Sequence, residues 1–263
     1  MKKILCFFSA LTLVLISSCS SDDNNSDSDV ASILPKTVKQ TYPDYPDDNS
    51  NDKITYDGNK IKNITSENYK TDYIYDGNLI VKQIGYDIVN GQSVKDSETS
   101  YSYSNGKLSA SSSVENFTTE YPTGQYKGRN VYTYNADGTI KKEEYYTNAT
   151  SGLEEKSTYS EVFTFQNGNL VKILAGDSYS SRTSVYEYDA KNSPTKNIVG
   201  FNLLLDESTG QNNLIKHSYT TTSNSSPIVT KTVYEYNSDG YPIKQTEYKS
   251  DGVTIDSIKE FTY

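Results

Sequence analysis

The sequence predicts an all-β fold, an antiparallel meander of about 14–16 strands curling into a curved sheet or partly open barrel. Three observations predict it. A Tyr-x-Tyr phrase followed by a Gly-bearing turn recurs through most of the chain. The residue between the two aromatics is usually polar, which is the period-two signature of a strand with one wet face. Outside the N-terminal segment, no stretch keeps the 3.6-residue apolar period of a helix. The chain has 263 residues, with 25 Tyr, 7 Phe, no Trp and a single Met, so tyrosine rather than leucine must supply the buried area.

Residues 1–18 read as an export signal. Lys2 and Lys3 precede an apolar run from Ile4 to Ile16, and Ser17 and Ser18 lead into Cys19. A basic start, a short apolar run and small residues at the cut make a secretory leader. The run is shorter than the roughly 20 residues a spanning helix requires. Cys6 leaves with the leader, so Cys19 is the one thiol of the mature chain and no internal disulfide forms. Ile16-Ser17-Ser18-Cys19 resembles the bacterial lipobox, with Ile where Leu is commoner. The resemblance implies that Cys19 is lipidated and that acyl chains such as palmitate fasten the protein to a membrane. An ordinary signal peptide with an incidental Cys is the alternative. Ser20-Ser21-Asp22-Asp23 resembles the acidic surface-export signal of Bacteroidota lipoproteins, with a solvated spacer as the plain alternative.

Residues 19–52 read as an acylated Cys followed by an acidic, flexible tether. Residues 20–52 hold eight Asp, two Lys and three of the seven Pro. Such a stretch buries too little apolar surface to offset its ordering entropy. Tyr42-Pro43-Asp44-Tyr45-Pro46 is its aromatic patch and is expected to dock on the domain.

Residues 53–263 carry the repeats. The phrases are Ile54-Thr-Tyr56-Asp-Gly58, Tyr73-Ile-Tyr75-Asp-Gly77, Tyr101-Ser-Tyr103-Ser-Asn-Gly106 and Tyr132-Thr-Tyr134-Asn-Ala-Asp-Gly138. Phe163-Thr-Phe165-Gln-Asn-Gly168, Tyr186-Glu-Tyr188-Asp-Ala-Lys-Asn192 and Tyr234-Glu-Tyr236-Asn-Ser-Asp-Gly240 follow, and Phe261-Thr-Tyr263 begins an eighth. Asp-Gly and Asn-Gly supply the positive φ of tight hairpins. An aliphatic residue after each turn starts the return strand: Ile61, Leu79, Leu108, Ile140, Leu170 and Ile243. Successive anchor aromatics lie 19, 28, 31, 31, 23, 48 and 27 residues apart. Further turns at Asn90-Gly91, Ser151-Gly152, Thr209-Gly210 and Asp251-Gly252 are expected to close the outer hairpins, and the uneven period argues against a solenoid. The inward, concave face is then aromatic and partly wet, because each Tyr hydroxyl wants a partner or water.

The Tyr-x-Tyr-Asp/Asn…Gly phrase resembles the YD repeats of RHS-type proteins. With the lipobox and acidic spacer, it is similar to a family of Bacteroidota lipoproteins with a porin-like β fold. The chain lacks the Gly-Arg that follows the turn in RHS repeats, and it carries no autoprotease core or toxin segment. The resemblance implies a fold and an outer-membrane address, and no activity or site residues.

Composition narrows the chemistry. Net charge is −9, and −11 once Lys2 and Lys3 are removed, which repels nucleic acid. One His rules out any multi-histidine metal site. Thr133-x-Asn135-x-Asp137-Gly138 with Glu144, and Glu235-x-Asn237-x-Asp239-Gly240 with Thr246, approach an EF-loop but each misses a charged ligand. No metal or cofactor is expected. His217 in Leu214–Tyr219 reads as strand decoration, and no Gly-x-Ser-x-Gly elbow is present. Glu143-Glu144 and Glu154-Glu155 are sequence neighbours, so on a strand each pair splits between faces, and no carboxylate pair is selected for glycan hydrolysis. An outer-membrane spanning barrel is disfavoured because polar residues oppose the tyrosines. Asp256-Ser257-Ile258 resembles the O-glycosylation acceptor of Bacteroidota secreted proteins.

The expectation is a non-enzymatic, lipid-anchored, surface-exposed outer-membrane protein that binds a glycan or protein partner. The doublets Tyr101/Tyr103 and Tyr132/Tyr134 are its candidate contacts, with simple core packing as the alternative role. A periplasm-facing scaffold and a glycan-processing hydrolase are the alternative functions.

Overall fold

The structure, a computed structural model, describes residues 32–148 and 151–263. The leader, Cys19 and residues 20–31 lie outside the described residues. The strands are β1 (Thr37–Thr41), β2 (Ser50–Asp57), β3 (Lys60–Thr65), β4 (Tyr69–Asp76), β5 (Leu79–Val89), β6 (Gln92–Ser104), β7 (Lys107–Glu115) and β8 (Tyr126–Tyr134). They continue as β9 (Ile140–Thr147), β10 (Glu154–Gln166), β11 (Asn169–Gly176), β12 (Ser181–Tyr188), β13 (Leu214–Thr221), β14 (Ile228–Tyr236), β15 (Pro242–Tyr248) and β16 (Ile255–Thr262). Every neighbouring pair is antiparallel, and β1 pairs with both β2 and β16.

The sheet is therefore a closed barrel rather than a curved sheet or partly open one. The strand that closes it comes from Thr37-Val38-Lys39-Gln40-Thr41, inside the stretch read as tether. The barrel boundary moves from residue 53 to about residue 36, where the Lys36 N–H bonds the Thr262 carbonyl at 2.7 Å. Charge and proline content hid this strand, whose ordering cost is met by backbone bonds on both sides. Closure also removes the two edges that an open sheet would expose.

A meander puts alternate connections at opposite ends of the barrel. All the Tyr-x-Tyr…Gly turns fall at one end, because each repeat spans two strands. The opposite rim carries the connections β1–β2, β3–β4, β5–β6 and so on to β15–β16. Asn90-Gly91, Ser151-Gly152 and Asp251-Gly252 turn the chain at that rim, as expected. Thr209-Gly210 does not close a hairpin. It lies in a 25-residue connection, 189–213, between β12 and β13.

Both aromatics of a phrase face the lumen because they stand two apart on one strand. The pairing register shifts at Thr55/Tyr56, Ile74/Tyr75, Ser102/Tyr103, Thr164/Phe165, Glu187/Tyr188 and Glu235/Tyr236. The extra residue lies on the partner strand, at Lys62, Val81, Ser109, Val171, Ile215 and Ile243, so the bulge bends that strand and re-aims its side chains. The second ring then reaches back across the wall. The Tyr103, Tyr188 and Tyr263 hydroxyls donate to the carbonyls of Ile80, Leu170 and Pro242 at 2.8, 2.8 and 2.9 Å. Each acceptor is the first inward residue of a preceding return strand. These residues form a buried ring with Ile61, Leu108 and Ile140. Two positions differ from the sequence reading: Ile80, not Leu79, and Pro242, not Ile243, point inward, since a one-residue step changes the face.

Removing one such hydroxyl strands a half-buried carbonyl. Tyr103→Phe, Tyr188→Phe and Tyr263→Phe are each expected to cost about 1 kcal/mol in denaturant titration. Lying in separate repeats, the three losses should add.

Candidate functional site

A sixteen-stranded barrel is too wide for its wall side chains to fill. Here the 189–213 connection occupies the space at the Gly-turn end, and we refer to it as the plug. It bonds to the wall on several sides. The Val199 N–H bonds the Asn59 carbonyl at 3.0 Å, the Tyr75 hydroxyl donates to the Val199 carbonyl at 3.0 Å, and the Asn192 N–H bonds the Gly240 carbonyl at 3.0 Å. Across the barrel, Asn169 Oδ1 accepts from the N–H groups of Gln211 and Asn212 at 2.8 and 3.1 Å. Gly200 has φ +84°, and a Cβ there would sit 3.0 Å from the Asn78 carbonyl oxygen and 3.2 Å from Ile80 Cγ1. Only glycine lets the plug pass that close to the wall. Phe201 packs on Tyr73 with ring centroids 5.8 Å apart.

Asp189 ties both ends of the plug. Its Oδ1 accepts from the backbone N–H groups of Lys191 and Asn213 at 2.9 and 3.1 Å, and the Asn213 side-chain amide donates to the carboxylate at 3.2 Å. The Tyr236 hydroxyl donates to Oδ2.

The chain also enters the barrel at this end. The Asn197 amide donates to the Ile33 carbonyl at 3.1 Å, and the Tyr56 hydroxyl donates to the Pro35 carbonyl at 2.8 Å.

Between the plug and the β13–β3 side of the wall lies a cavity of about 380 Å³. Glu207 of the plug and Glu247 of β15 line it, together with His217, Thr232, Tyr234, Gln245 and Lys259. Burial raises both carboxyls above the usual range. Asp256 and Glu207 push Glu247 further, while Lys259 opposes. Asp206 adds to the rise at Glu207, and the Tyr186 hydroxyl beside it lowers it. His217 does not decorate the surface as its sequence setting suggested. Its ring stacks on Tyr186 at 4.7 Å, and its Nε2 is buried without a hydrogen-bond partner among the described residues. Burial, then Arg182, lowers its pKa. The register accounts for this, since His217 pairs with the inward Tyr186.

Farther from the plug the lumen is polar and half-buried. Lys142 bonds Glu161 and Glu144 at 2.8 and 2.9 Å. Glu143 faces outward and binds Lys141 and Lys156, both at 2.7 Å. The adjacent glutamates are thus split between faces, as strand geometry requires.

The structure brings the four candidate tyrosines together across β7. Tyr101 lies in the field of Tyr132, and Tyr103 in that of Tyr134. All four are half-buried. Tyr132 and Tyr134 also pack against the cluster of Ile140, Phe163, Leu170 and Tyr186. Burial, then Tyr75 and Tyr134, pushes Tyr103 up to about 12. Burial and Tyr75 raise Tyr73 to about 12, and burial raises Tyr75 to about 12 against the Ile61 backbone bond. Folded values above the ordinary 10.0 hold the proton more tightly than the unfolded chain does. Stability is full below pH 10 and falls as pH climbs from about 10 to 12. Tyrosinate absorbance followed alongside circular dichroism should show these rings ionising together with unfolding.

Ser257, the residue of the glycosylation-like tripeptide, faces the wall interior at 3% exposure, out of reach of a modifying enzyme in the folded barrel. No group of three or more metal-capable side chains occurs among the described residues, and no described helix is long and apolar enough to cross a membrane. Asn237 and Asp137, from the near-EF loops, instead accept hydrogen bonds within their own turns.

Comparison with solved structures places this architecture. A porin-like protein from Bacteroides vulgatus ATCC 8482 aligns at TM-score 0.58 and 16% identity, over 88% of this chain and 99% of that one. A porin-like protein from Bacteroides uniformis ATCC 8492 aligns at TM-score 0.50 and 9% identity, over 87% and 97%. No curated protein matches the sequence. A family model described as "Protein of unknown function (DUF2963)" matches residues 229–262, which cover most of β14 through β16. What the chain shares with the Bacteroides porin-like proteins is the fold, a β-barrel.

Proposed function

We propose that this protein is a non-enzymatic, lipid-anchored surface lipoprotein whose barrel binds a glycan or protein partner in its aromatic lumen. One observation carries the reading: the repeats aim their tyrosine doublets into a lumen that is half-wet and blocked at one end by the plug. A through-pore would not need the plug. A recess lined with stiff amphipathic rings suits ligand capture.

The outward face supports anchoring by lipid rather than by the wall. Glu187–Lys216, Glu235–Lys244 and Glu260–Lys39 ion pairs project between the inward tyrosines, and Glu98 binds Lys82 and Lys95 near mid-strand. A spanning barrel presents an apolar band there, and a midplane Lys costs about 2–4 kcal/mol. Tethering then falls to Cys19, the lipobox-like residue.

The test combines protease shaving of intact cells with Cys19→Ala. The expected result is loss of the domain from intact cells, and release of the Cys19→Ala protein from the membrane fraction. Survival of the domain until lysis would favour the periplasm-facing scaffold. For the lumen, a Tyr101→Ala/Tyr132→Ala variant should lose binding to whichever members of a glycan array the native barrel retains. Retained binding would remove Tyr101 and Tyr132 from the site.

The shared cavity of Glu207 and Glu247 favours a second reading, glycan hydrolysis by a carboxylate pair. Turnover on a glycan panel that Glu247→Gln abolishes would establish it.

A further inference from the structure

The rim opposite the plug carries the five most exposed large apolar side chains among the described residues, although exposed apolar residues such as Val233 also stand on the outer wall. Six of its eight connections carry an exposed large apolar or aromatic side chain at or beside the tip: Tyr45, Val89, Tyr126, Leu153, Tyr179 and Val253. Tyr179 is 89% exposed, Val253 76% and Leu153 67%. The turns at the plug end carry none of the exposed large apolar residues, so solvent exposure of a loop does not by itself explain the pattern. This rim is also the end remote from the chain's entry at Ile33 and Pro35.

Its charge is predominantly acidic, with Lys127 beside Tyr126 and Arg182 beside Ser181 as exposed cations. Asp47, Asp48, Glu67 and Glu120 are exposed on its connections, and Asp87, Asp96 and Glu115 on the adjoining strand ends. Lys249 is engaged by Asp44, and Lys95 by Glu98. Asp177 and Asp251 are set aside, because their carboxylates accept the N–H groups of their own turns.

From the apolar crown and its acidic surround, we infer that this rim is a docking surface for a basic amphipathic polypeptide. Apolar tips exposed to water lose area favourably only against another apolar surface. The acids select which surface: they attract Lys and Arg, and they repel anionic lipid headgroups. The inference does not depend on what the lumen binds, since the rim residues lie outside the cavity. Asp and Glu steer the encounter, and the tips then supply the buried centre of the contact.

The experiment uses the full chain in detergent with an immobilised helical peptide of leucines and lysines. A lysine-only peptide of equal charge and zwitterionic and anionic vesicles serve as comparators. The amphipathic peptide should bind, and its affinity should fall about tenfold or more between roughly 0.05 and 0.5 M salt. A Leu153→Ser/Tyr179→Ser/Val253→Ser variant should reduce affinity by about tenfold or more, because these tips are mostly exposed and most of the loss falls in the contact. An Asp47→Asn/Asp48→Asn/Glu120→Gln variant should flatten the salt dependence. Both variants should melt with the native protein, since the residues are exposed. Equal binding of the lysine-only peptide, unchanged affinity in the serine variant, or preferential binding to vesicles would each overturn the inference. Loss of lumen binding alone, with peptide binding intact, would leave it standing.

Discussion

Asp189→Ala should loosen the plug and lower the melting temperature by roughly 6–12 °C. One side chain satisfies two backbone N–H groups, the Asn213 amide and the Tyr236 hydroxyl. Asn213 is itself buried. Removing the carboxylate leaves those donors unpaired in a largely dry place, at about 3 kcal/mol or more. Asp189→Asn keeps an acceptor and should recover part of the loss. The loosened plug has a second signature. Iodide should quench more tyrosine fluorescence in Asp189→Ala than in the native barrel well below the melt, because Tyr73, Tyr75 and Tyr236 all contact the plug. Equal quenching with a lowered melting temperature would mean that the whole barrel weakens together.

Phe163→Ala should cost more, about 3–5 kcal/mol by urea titration. Phe163 is 5% exposed and pairs across the sheet with Ile140 and Ile173, at the centre of the main apolar cluster. The backbone on both sides is held by ladder bonds, so the wall cannot collapse into the cavity. The contrast is Val233, exposed on the outward face of β14. Val233→Ala should change stability by about 0.5 kcal/mol or less. The pair of measurements separates the inward from the outward face without further structural work.

The two results bear on function differently. Phe163 tests the wall that holds the tyrosine doublets. Asp189 tests the element that turns a tube into a recess. If the plug can be freed without unfolding the wall, ligand affinity in the freed variant measures how much of the site the plug supplies through Glu207 and its neighbours.

Much of the wall was legible in the residues. The period-two phrases located most of the strands, because strand geometry forces alternation wherever one face meets water. The Asp-Gly and Asn-Gly pairs located most turns, because positive φ demands those residues. The split of Glu143 and Glu144 followed from the same geometry. The candidate doublets Tyr101/Tyr103 and Tyr132/Tyr134 were readable as one inward surface for that reason alone.

What the sequence could not decide is non-local. Closure depends on Thr37–Thr41 meeting Ile255–Thr262 some 220 residues away, and no local pattern encodes that pairing. The plug was visible only as the 48-residue gap between Tyr188 and Tyr236. Its polar, turn-rich residues look like a loop in water, and only the width of a sixteen-stranded lumen makes a home for them inside. The Glu207, Glu247 and His217 grouping is the product of that insertion, drawn from a plug and two strands. Local backbone preference and side-chain alternation set which face each residue presents. Tertiary structure alone decided which faces meet, because that depends on the number of strands and on what must fill the space they enclose.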